Sequence, residues 1–305
     1  MRSIKIRAPA TSANLGSGFD ICGVALEKPF DEMVVSVSEI DRISSKGRYE
    51  VPIKIDQNSC GPVINEMRSD FDIKSGLDIM IRKQIKPSGG MGSSAASAAG
   101  IAYAINKLFN LGLSNEKLVH YASFGEAVSA GVPHLDNVAP AIFGGFTVVT
   151  GREPIKIKKM DVPASMEAVI VSPENGKKST KQAREVLPNE VSRSSAQYNM
   201  QCLSSLICSV ADDDVQGVIK AMDDKIAEPA RARAGILQHF YEIKKLASNL
   251  GYGVAASGAG PAILILGDKS NKGKKKLLTG IESIFKEKHE IIISRISKDG
   301  IKQLG

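Results

Sequence analysis

Between residues 87 and 100 the chain reads P-S-G-G-M-G-S-S-A-A-S-A-A-G, and these residue types suit the binding of an anion. Glycines at 89, 90 and 92 permit positive φ and a close approach of backbone to ligand, which a Cβ would block. Ser93, Ser94 and the alanines after them open a helix whose apolar residues Ala98, Ile101, Ala102, Ile105 and Leu108 share one side. A helix N-terminus presents N–H groups with no partner inside the helix and about half a positive charge, so a glycine loop feeding one is suited to phosphate. The serine hydroxyls offer a metal ligand or a further hydrogen bond.

Three readings of this stretch compete. A Walker A loop needs G-x-x-x-x-G-K-[ST], and no lysine follows Gly92, which excludes it. A dinucleotide fingerprint G-x-G-x-x-A is matched by Gly90, Gly92 and Ala95. Its context is weak, because residues 77–86 have helix-like spacing and the acidic residue at the right distance, Glu116, falls inside an expected helix. The third reading is a tight turn into a packing helix with no ligand at all, since small residues also open helices for packing reasons.

The elements that would position this loop alternate in type. Residues 3–8 and 33–37 read as strands, 40–65 as a β-excursion, 77–85 as a helix delivering the chain to the glycines, and 94–109 as the helix after them. Between the first two strands, residues 8–20 (A-P-A-T-S-A-N-L-G-S-G-F-D) form a loop dense in turn formers. Asn14 and Asp20 there either close Asx turns or point at a ligand. A helix from Ser114 carries Glu126, and Asp136 and Asn137 then stand between Pro133 and Pro140, expected to hold a stiff loop. Residues 142–150 read as a strand. Composition shifts at G-R-E-P, which sets a domain boundary between 1–152 and 153–305. Further on come a strand at 166–171, helices at 180–186 (with Arg184), 190–210, 212–222 and 230–249, and short strands at 251–256 and 262–266 around S-G-A-G-P. A lysine-rich helix and a strand at 291–294 close the chain. Strands and helices mix without strict βαβ alternation, which gives an α+β class.

At 305 residues, 43% hydrophobic and 24% charged, the chain has room for two domains of a soluble globular protein. No run reaches the roughly 18 apolar residues of a membrane span. The N-terminus M-R-S-I-K-I-R lacks a signal-peptide core, so the expected location is cytoplasmic, with no membrane partner. A net charge of +7 suits anionic substrates. The lysine excess is concentrated in residues 269–276, aromatics are 5% and Trp is absent, so no nucleic-acid partner is expected. Cys22, Cys60, Cys202 and Cys208 show no C-x-x-C spacing and read as reduced core thiols.

Three stretches together resemble the GHMP kinases, the family named for galactokinase, homoserine kinase, mevalonate kinase and phosphomevalonate kinase. They are P-A-T-S-A-N-L-G-S-G-F-D, the P-x-x-x-G-M-G-S-S-A-A loop and the late S-G-A-G-P, in that order. Within the family, H-L-D-N-V-A-P-A-I-F-G-G at 134–145 is similar to the homoserine kinase branch. Departures are Ser17 where proline is usual, Met91 where leucine is usual and Leu135 where alanine is frequent; none removes a polar group.

The resemblance implies a two-domain α+β fold. Its N-terminal domain would be like the second domain of a small-subunit ribosomal protein, and its C-terminal domain a ferredoxin-like α/β sandwich. It implies ATP-dependent phosphorylation of the side-chain hydroxyl of L-homoserine, a step of threonine biosynthesis, with a homodimer as the expected assembly. Pro87, Ser88, Gly89, Gly90, Met91, Gly92, Ser93, Ser94 and Ala95 would hold ATP, and Ser94 and Glu126 would hold Mg²⁺. Asn14, Asp20 and Asp136 would take the amino end of the acceptor, and Arg184 and Arg231 its carboxylate. Asn137 stands where relatives place an aspartate near the acceptor hydroxyl. It would orient that hydroxyl while the proton leaves to a phosphate oxygen or water. Gly258 in the late glycine loop would close the site, and His134 reads as a structural loop hydrogen bond rather than a base. Rival readings are a kinase of the same family acting on shikimate, mevalonate or pantoate, and a non-catalytic nucleotide- or nucleic-acid-binding protein.

Overall fold

The computed structural model describes residues 2–130, 134–174 and 180–304. Its first sheet begins with β1 (Ser3–Asn14) and β2 (Gly18–Ser38), one long antiparallel hairpin. Most of the expected 8–20 loop is therefore strand. It is also buried through Asn14, Thr11 and Ser12 included, because this end of the hairpin enters the junction with the second sheet. β3 (Arg42–Gly47) runs parallel to β4 (Gly76–Lys83), which pairs antiparallel with β2.

β4 corrects the helix expected over 77–85. Leu77, Ile79, Ile81 and Lys83 face inward while Asp78 and Arg82 face outward, a period of two that Met80 obscures in the bare sequence. The 40–65 excursion is also only partly β: it includes β3 and then the start of α1 (Cys60–Phe71).

α2 (Ser93–Leu108) packs on β1 and β2 and against α1, α3 (Asn115–Ala130) and α4 (Val138–Phe143). It is buried nearly all round rather than along one stripe, and its alanines give neighbours on every side room to approach. α4 corrects the stiff loop and takes the first residues of the strand expected over 142–150, which begins at Phe146 instead. Pro140 lies inside this helix and Asn137 immediately precedes it without a side-chain cap, whereas Pro133 lies outside the described residues. β5 (Phe146–Arg152) and β6 (Ile155–Met160) then complete an antiparallel extension of β2.

The second sheet holds β7 (Met166–Pro173), β8 (Gly253–Ala256), β9 (Ile263–Asp268) and β10 (His289–Arg295) in the order β10-β7-β9-β8, all antiparallel. Between β7 and β8 run α5 (Thr180–Glu185), α6 (Arg193–Ala211), α7 (Val215–Ala221), α8 (Ala227–Arg233) and α9 (Phe240–Ser248). α10 (Lys274–Ile284) links β9 to β10. Numbered along the chain this sheet reads 4-1-3-2, the βαββαβ arrangement of a ferredoxin-like sandwich.

The single helix expected over 230–249 is two, broken where Gly235 (φ +72°) and His239 (φ +55°) take left-handed backbone. The sheets do not part at residue 152. β6 stays with the first sheet, and the C-terminal β11 (Lys302–Leu304) returns to pair with β1. Cys22 and Cys60 are buried thiols, whereas Cys208 is exposed and Cys202 half-buried, so only the first pair fits the expectation of core residues. No helix among the described residues is long and apolar enough to cross a membrane.

Candidate active site

The glycine loop leaves β4 and enters α2 through Gly92, whose φ of +63° and lack of a side chain leave the helix without a side-chain cap. A Cβ there would run into the Thr11 hydroxyl and stand 3.1 Å from Asn137 Oδ1. At Gly90 (φ +84°) a Cβ would lie 2.6 Å from the Ser257 carbonyl and 2.9 Å from that of Gly260, so the two glycine loops are in contact. The Ser257 hydroxyl fastens them by donating to the Gly90 carbonyl at 2.7 Å.

Pro87, Ser88, Gly89, Gly90, Gly92, Ser93 and Ser94 line the cleft. Met91 and Ala95 do not, since their side chains are in the core. The Ser93 hydroxyl donates to the Ile85 carbonyl at 3.0 Å and serves the loop's own shape.

The loop carries no lysine of its own, yet one reaches it from β4. Lys83 is 1% exposed; its Nζ lies 2.6 Å from Asp31 Oδ2 and donates to the Ser93 carbonyl at 2.6 Å and to Ser97 Oγ at 2.9 Å. Asp31 Oδ1 accepts the N–H groups of Gln84 and Ile85. Nothing in the loop motif announces Lys83; the only signal is a lysine in the inward register of an apolar alternation. Asn58, Ser59 and Thr180 also line the cleft without having been singled out.

Asn14, Asp20, Asp136, Asn137, Arg184, Arg231 and Gly258 line the other end of the same cleft. The hairpin turn brings Asn14 and Asp20 together: Asn14 Oδ1 accepts the Asp20 N–H at 3.1 Å, and Asn14 Nδ2 donates to the Gly258 carbonyl at 2.7 Å. Arg184 Nη2, from α5, donates to Asp20 Oδ1 at 2.6 Å and lies 3.1 Å from His134 Nδ1. His134 thus sits within the charged cluster, where its hydrogen bond is to the Arg184 side chain. Burial, followed by the Arg184 charge, lowers its pKa, so the ring is neutral near pH 7.

Asp136 is buried, and its carboxyl is raised to about 7 first by burial and then by the nearby Asp20 and Glu126 charges. Asn137 Oδ1 accepts the Thr11 hydroxyl at 2.8 Å, which leaves the carboxamide NH₂ to serve as a donor. Arg231, from α8, is 2% exposed and donates from Nε to the Ala183 carbonyl at 3.2 Å and from Nη1 to the Gly258 carbonyl at 3.0 Å. No carboxylate forms an ion pair with it among the described residues, and burial together with Arg184 pushes its pKa down. Arg184 and Arg231 flank the Phe19 ring at 5.4 and 5.3 Å.

The cleft therefore has a phosphate-suited end, built of backbone and hydroxyls, and an end suited to a small zwitterion. Ser94 at the start of α2 and Glu126 on α3 both line it and offer a hydroxyl and a carboxylate oxygen, a donor set that fits a hard dication shared with phosphate oxygens. Asp20, His134 and Asp136 also bring ligand atoms within 4.8 Å of one another. The Arg184 guanidinium already occupies Asp20 and His134, so that trio suits an organic ammonium better than a dication.

Residues 58–145 match the family described as GHMP kinases N terminal domain. A homoserine kinase from Methanococcus vannielii is 43% identical over 294 residues, covering 94% of this chain and 93% of the relative. The chain belongs to the homoserine kinase family. The homoserine kinase of Pyrococcus horikoshii is 38% identical, covering 92% of this chain and 94% of its own. The crystal structure of a homoserine kinase from Cytophaga hutchinsonii superposes with a TM-score of 0.90 at 31% identity, over 100% of this chain and 98% of that one. The two-domain α+β fold that the motifs imply is the fold observed.

Proposed function

We propose that the protein transfers the γ-phosphoryl group of ATP to the side-chain hydroxyl of L-homoserine, giving O-phospho-L-homoserine and ADP. The observation that carries this reading is Arg231, a buried guanidinium without a carboxylate partner among the described residues, set beside the Asp20–Arg184 pair and facing the cleft that holds the glycine loop. A buried charge of this kind calls for an anion, and the acceptor's carboxylate is one to which the guanidinium can donate from Nη2, its Nε and Nη1 being engaged by backbone carbonyls.

Backbone N–H groups of 89–94 and the dipole of α2 take the phosphates, with Lys83 adding charge behind them. Ser94 and Glu126 would hold Mg²⁺, which when bound would neutralise charge on the phosphates. Arg184 and Arg231 take the acceptor carboxylate; Asp20, Asp136 and Asn14 surround its ammonium. The ammonium favours the ionised form of Asp136, whose carboxyl otherwise sits at about 7.

With its oxygen held by Thr11, the Asn137 carboxamide donates from nitrogen to the acceptor oxygen and fixes the line of attack. A new O–P bond forms, the bond from the γ-phosphorus to the β-phosphate bridge breaks, and the hydroxyl proton leaves to a phosphate oxygen or water. A homodimer in the cytoplasm is the expected setting.

The test is ADP release from Mg-ATP with homoserine, shikimate, mevalonate, pantoate or no acceptor. Release that depends on homoserine alone is the expected result. Release dependent on another acceptor reassigns the substrate within the family, and no acceptor-dependent release anywhere removes the kinase reading.

A further inference from the structure

Glu228 lies three residues before Arg231 on α8, is 3% exposed and does not line the cleft. Its Oε1 accepts the backbone N–H of Ala256 at 2.8 Å, and its Oε2 lies 3.3 Å from Lys244 Nζ. Ala256 ends β8, the edge strand of the second sheet, so an outward N–H there has no strand partner and Glu228 supplies one. Two residues further on, the Gly258 carbonyl accepts both Arg231 Nη1 and Asn14 Nδ2. One buried side chain therefore ties the helix that carries Arg231 to the strand end that carries the carbonyl on which Arg231 docks.

The residues around Glu228 hold it from both sides. Asp224 accepts the Glu228 N–H at 2.6 Å and the Ile226 N–H at 2.9 Å, fixing the start of α8. Lys244 is also bound by Asp223 Oδ1 at 2.6 Å, and Asp223 Oδ2 accepts the Tyr198 hydroxyl at 2.6 Å. The Asp223 backbone abuts the hairpin turn, where a Cβ on Gly16 would stand 2.8 Å from Asp223 N. The network thus touches both segments, the hairpin and α8, whose side chains donate to Gly258. Burying a carboxylate is costly even when it is paired, and a Gln would satisfy the Ala256 N–H without that charge.

We propose that Glu228 is a positioning residue for acceptor binding: it holds α8 and the Ala256–Gly258 turn in the arrangement where Arg231 and Asn14 share one carbonyl and Arg231 keeps Nη2 for the acceptor's carboxylate. This rests on the reading of Arg231 as the carboxylate partner. Glu228 acts through Arg231 and touches neither substrate.

The experiment uses the full chain with ATP and homoserine varied separately. Glu228→Met keeps the volume and removes the acceptor; it is expected to raise the homoserine KM about tenfold while kcat and the ATP KM move less than about twofold. Glu228→Gln, which can still accept from Ala256, is expected to recover most of that loss. In an Arg231→Lys background Glu228→Met adds less than about twofold, because both act on one contact. If Glu228→Met does not fold, Glu228→Asp, which is one methylene shorter, replaces it with the same expectation.

A variant that only lowers Tm, raises both KM values alike, or adds its full effect to Arg231→Lys overturns the proposal. If Arg231→Lys raises the homoserine KM and Glu228→Met does not, this proposal alone fails. If Arg231→Lys leaves that KM unchanged, the carboxylate reading falls and takes the proposal with it.

Discussion

The two ends of the cleft are made of different material. The phosphate end is drawn almost wholly from one stretch, residues 87–94, and works through backbone, glycine conformation and a helix terminus. The acceptor end gathers side chains from residues 14, 20, 134, 136, 137, 184 and 231, on the hairpin, the start of α4, α5 and α8. The first arrangement recognises a charge pattern that many substrates share. The second sets ions of both signs at fixed spacing, so the discrimination between acceptors resides there.

The phosphate end is less local than its motif suggests, and Lys83 is the place to break it. Lys83 and Asp31 are both buried, with side chains 1% and 3% exposed, and together they hold the 84–85 backbone and the Ser93 carbonyl. Removing one partner of a buried pair leaves the other uncompensated, so Lys83→Met should cost about 3–5 kcal/mol of stability in urea unfolding. A Lys83→Met/Asp31→Leu double variant should recover much of it. If the single variant unfolds like wild type, the pair is not what anchors the loop.

Gly92 tests the loop itself. Alanine there must take left-handed backbone, at roughly 1 kcal/mol, and push its Cβ toward Thr11 and Asn137. Because Thr11 orients the Asn137 carboxamide, the displacement reaches the acceptor oxygen as well. Gly92→Ala should lower kcat by about 100-fold, the scale on which small misplacements act. Glycine loops that served packing alone would instead show a stability loss with kcat intact.

The same contrast governs what could be read from the residues. Residues 87–100 were legible because a backbone site is written contiguously: the glycines, the serines and the helix that follows all stand in order. The individual strands of the second sheet were likewise visible as short apolar runs, though not their pairing. Lys83 was not, because β4 is eight residues long and its alternation is broken by Met80, so charge spacing alone also fits a helix. At the acceptor end the residues themselves marked Asn14 and Asp20 as candidates, and the arginines and the roles were reached through the resemblance to a family. No spacing in the sequence says that Arg184 meets Asp20 across 164 positions, or that Arg231 and Asn14 meet at one carbonyl. The partner of His134 was hidden for the same reason: its neighbour in space comes from α5. β11 was missed because three residues paired to β1 carry no pattern of their own.

The smallest expected effect lies at the acceptor end and concerns pH. Asp136 titrates at about 7 in the folded protein against an ordinary value of 3.8. Between those pH values the folded state holds a proton that the unfolded chain has released. Stability of the ligand-free protein due to this group is therefore greatest at low pH and falls as pH rises toward 7, by up to about 1.4 kcal/mol per pH unit.

Glu228, also raised to about 7, acts in the same direction. His134, whose pKa is lowered, acts in the opposite one below its ordinary 6.5, since the unfolded chain then takes up the proton more readily. Two carboxyls outweigh one imidazole, so the wild-type curve falls with rising pH, and the difference between wild type and Asp136→Asn isolates the one group. Urea midpoints from pH 5 to 8 should fall less with rising pH in Asp136→Asn than in wild type. Saturating homoserine should flatten the wild-type profile, since its ammonium stabilises the ionised carboxylate. Identical slopes for the two proteins would mean that Asp136 is already ionised in the empty cleft, and the division between a phosphate cradle built mainly on backbone and an acceptor end built on perturbed charge would then rest on the arginines alone.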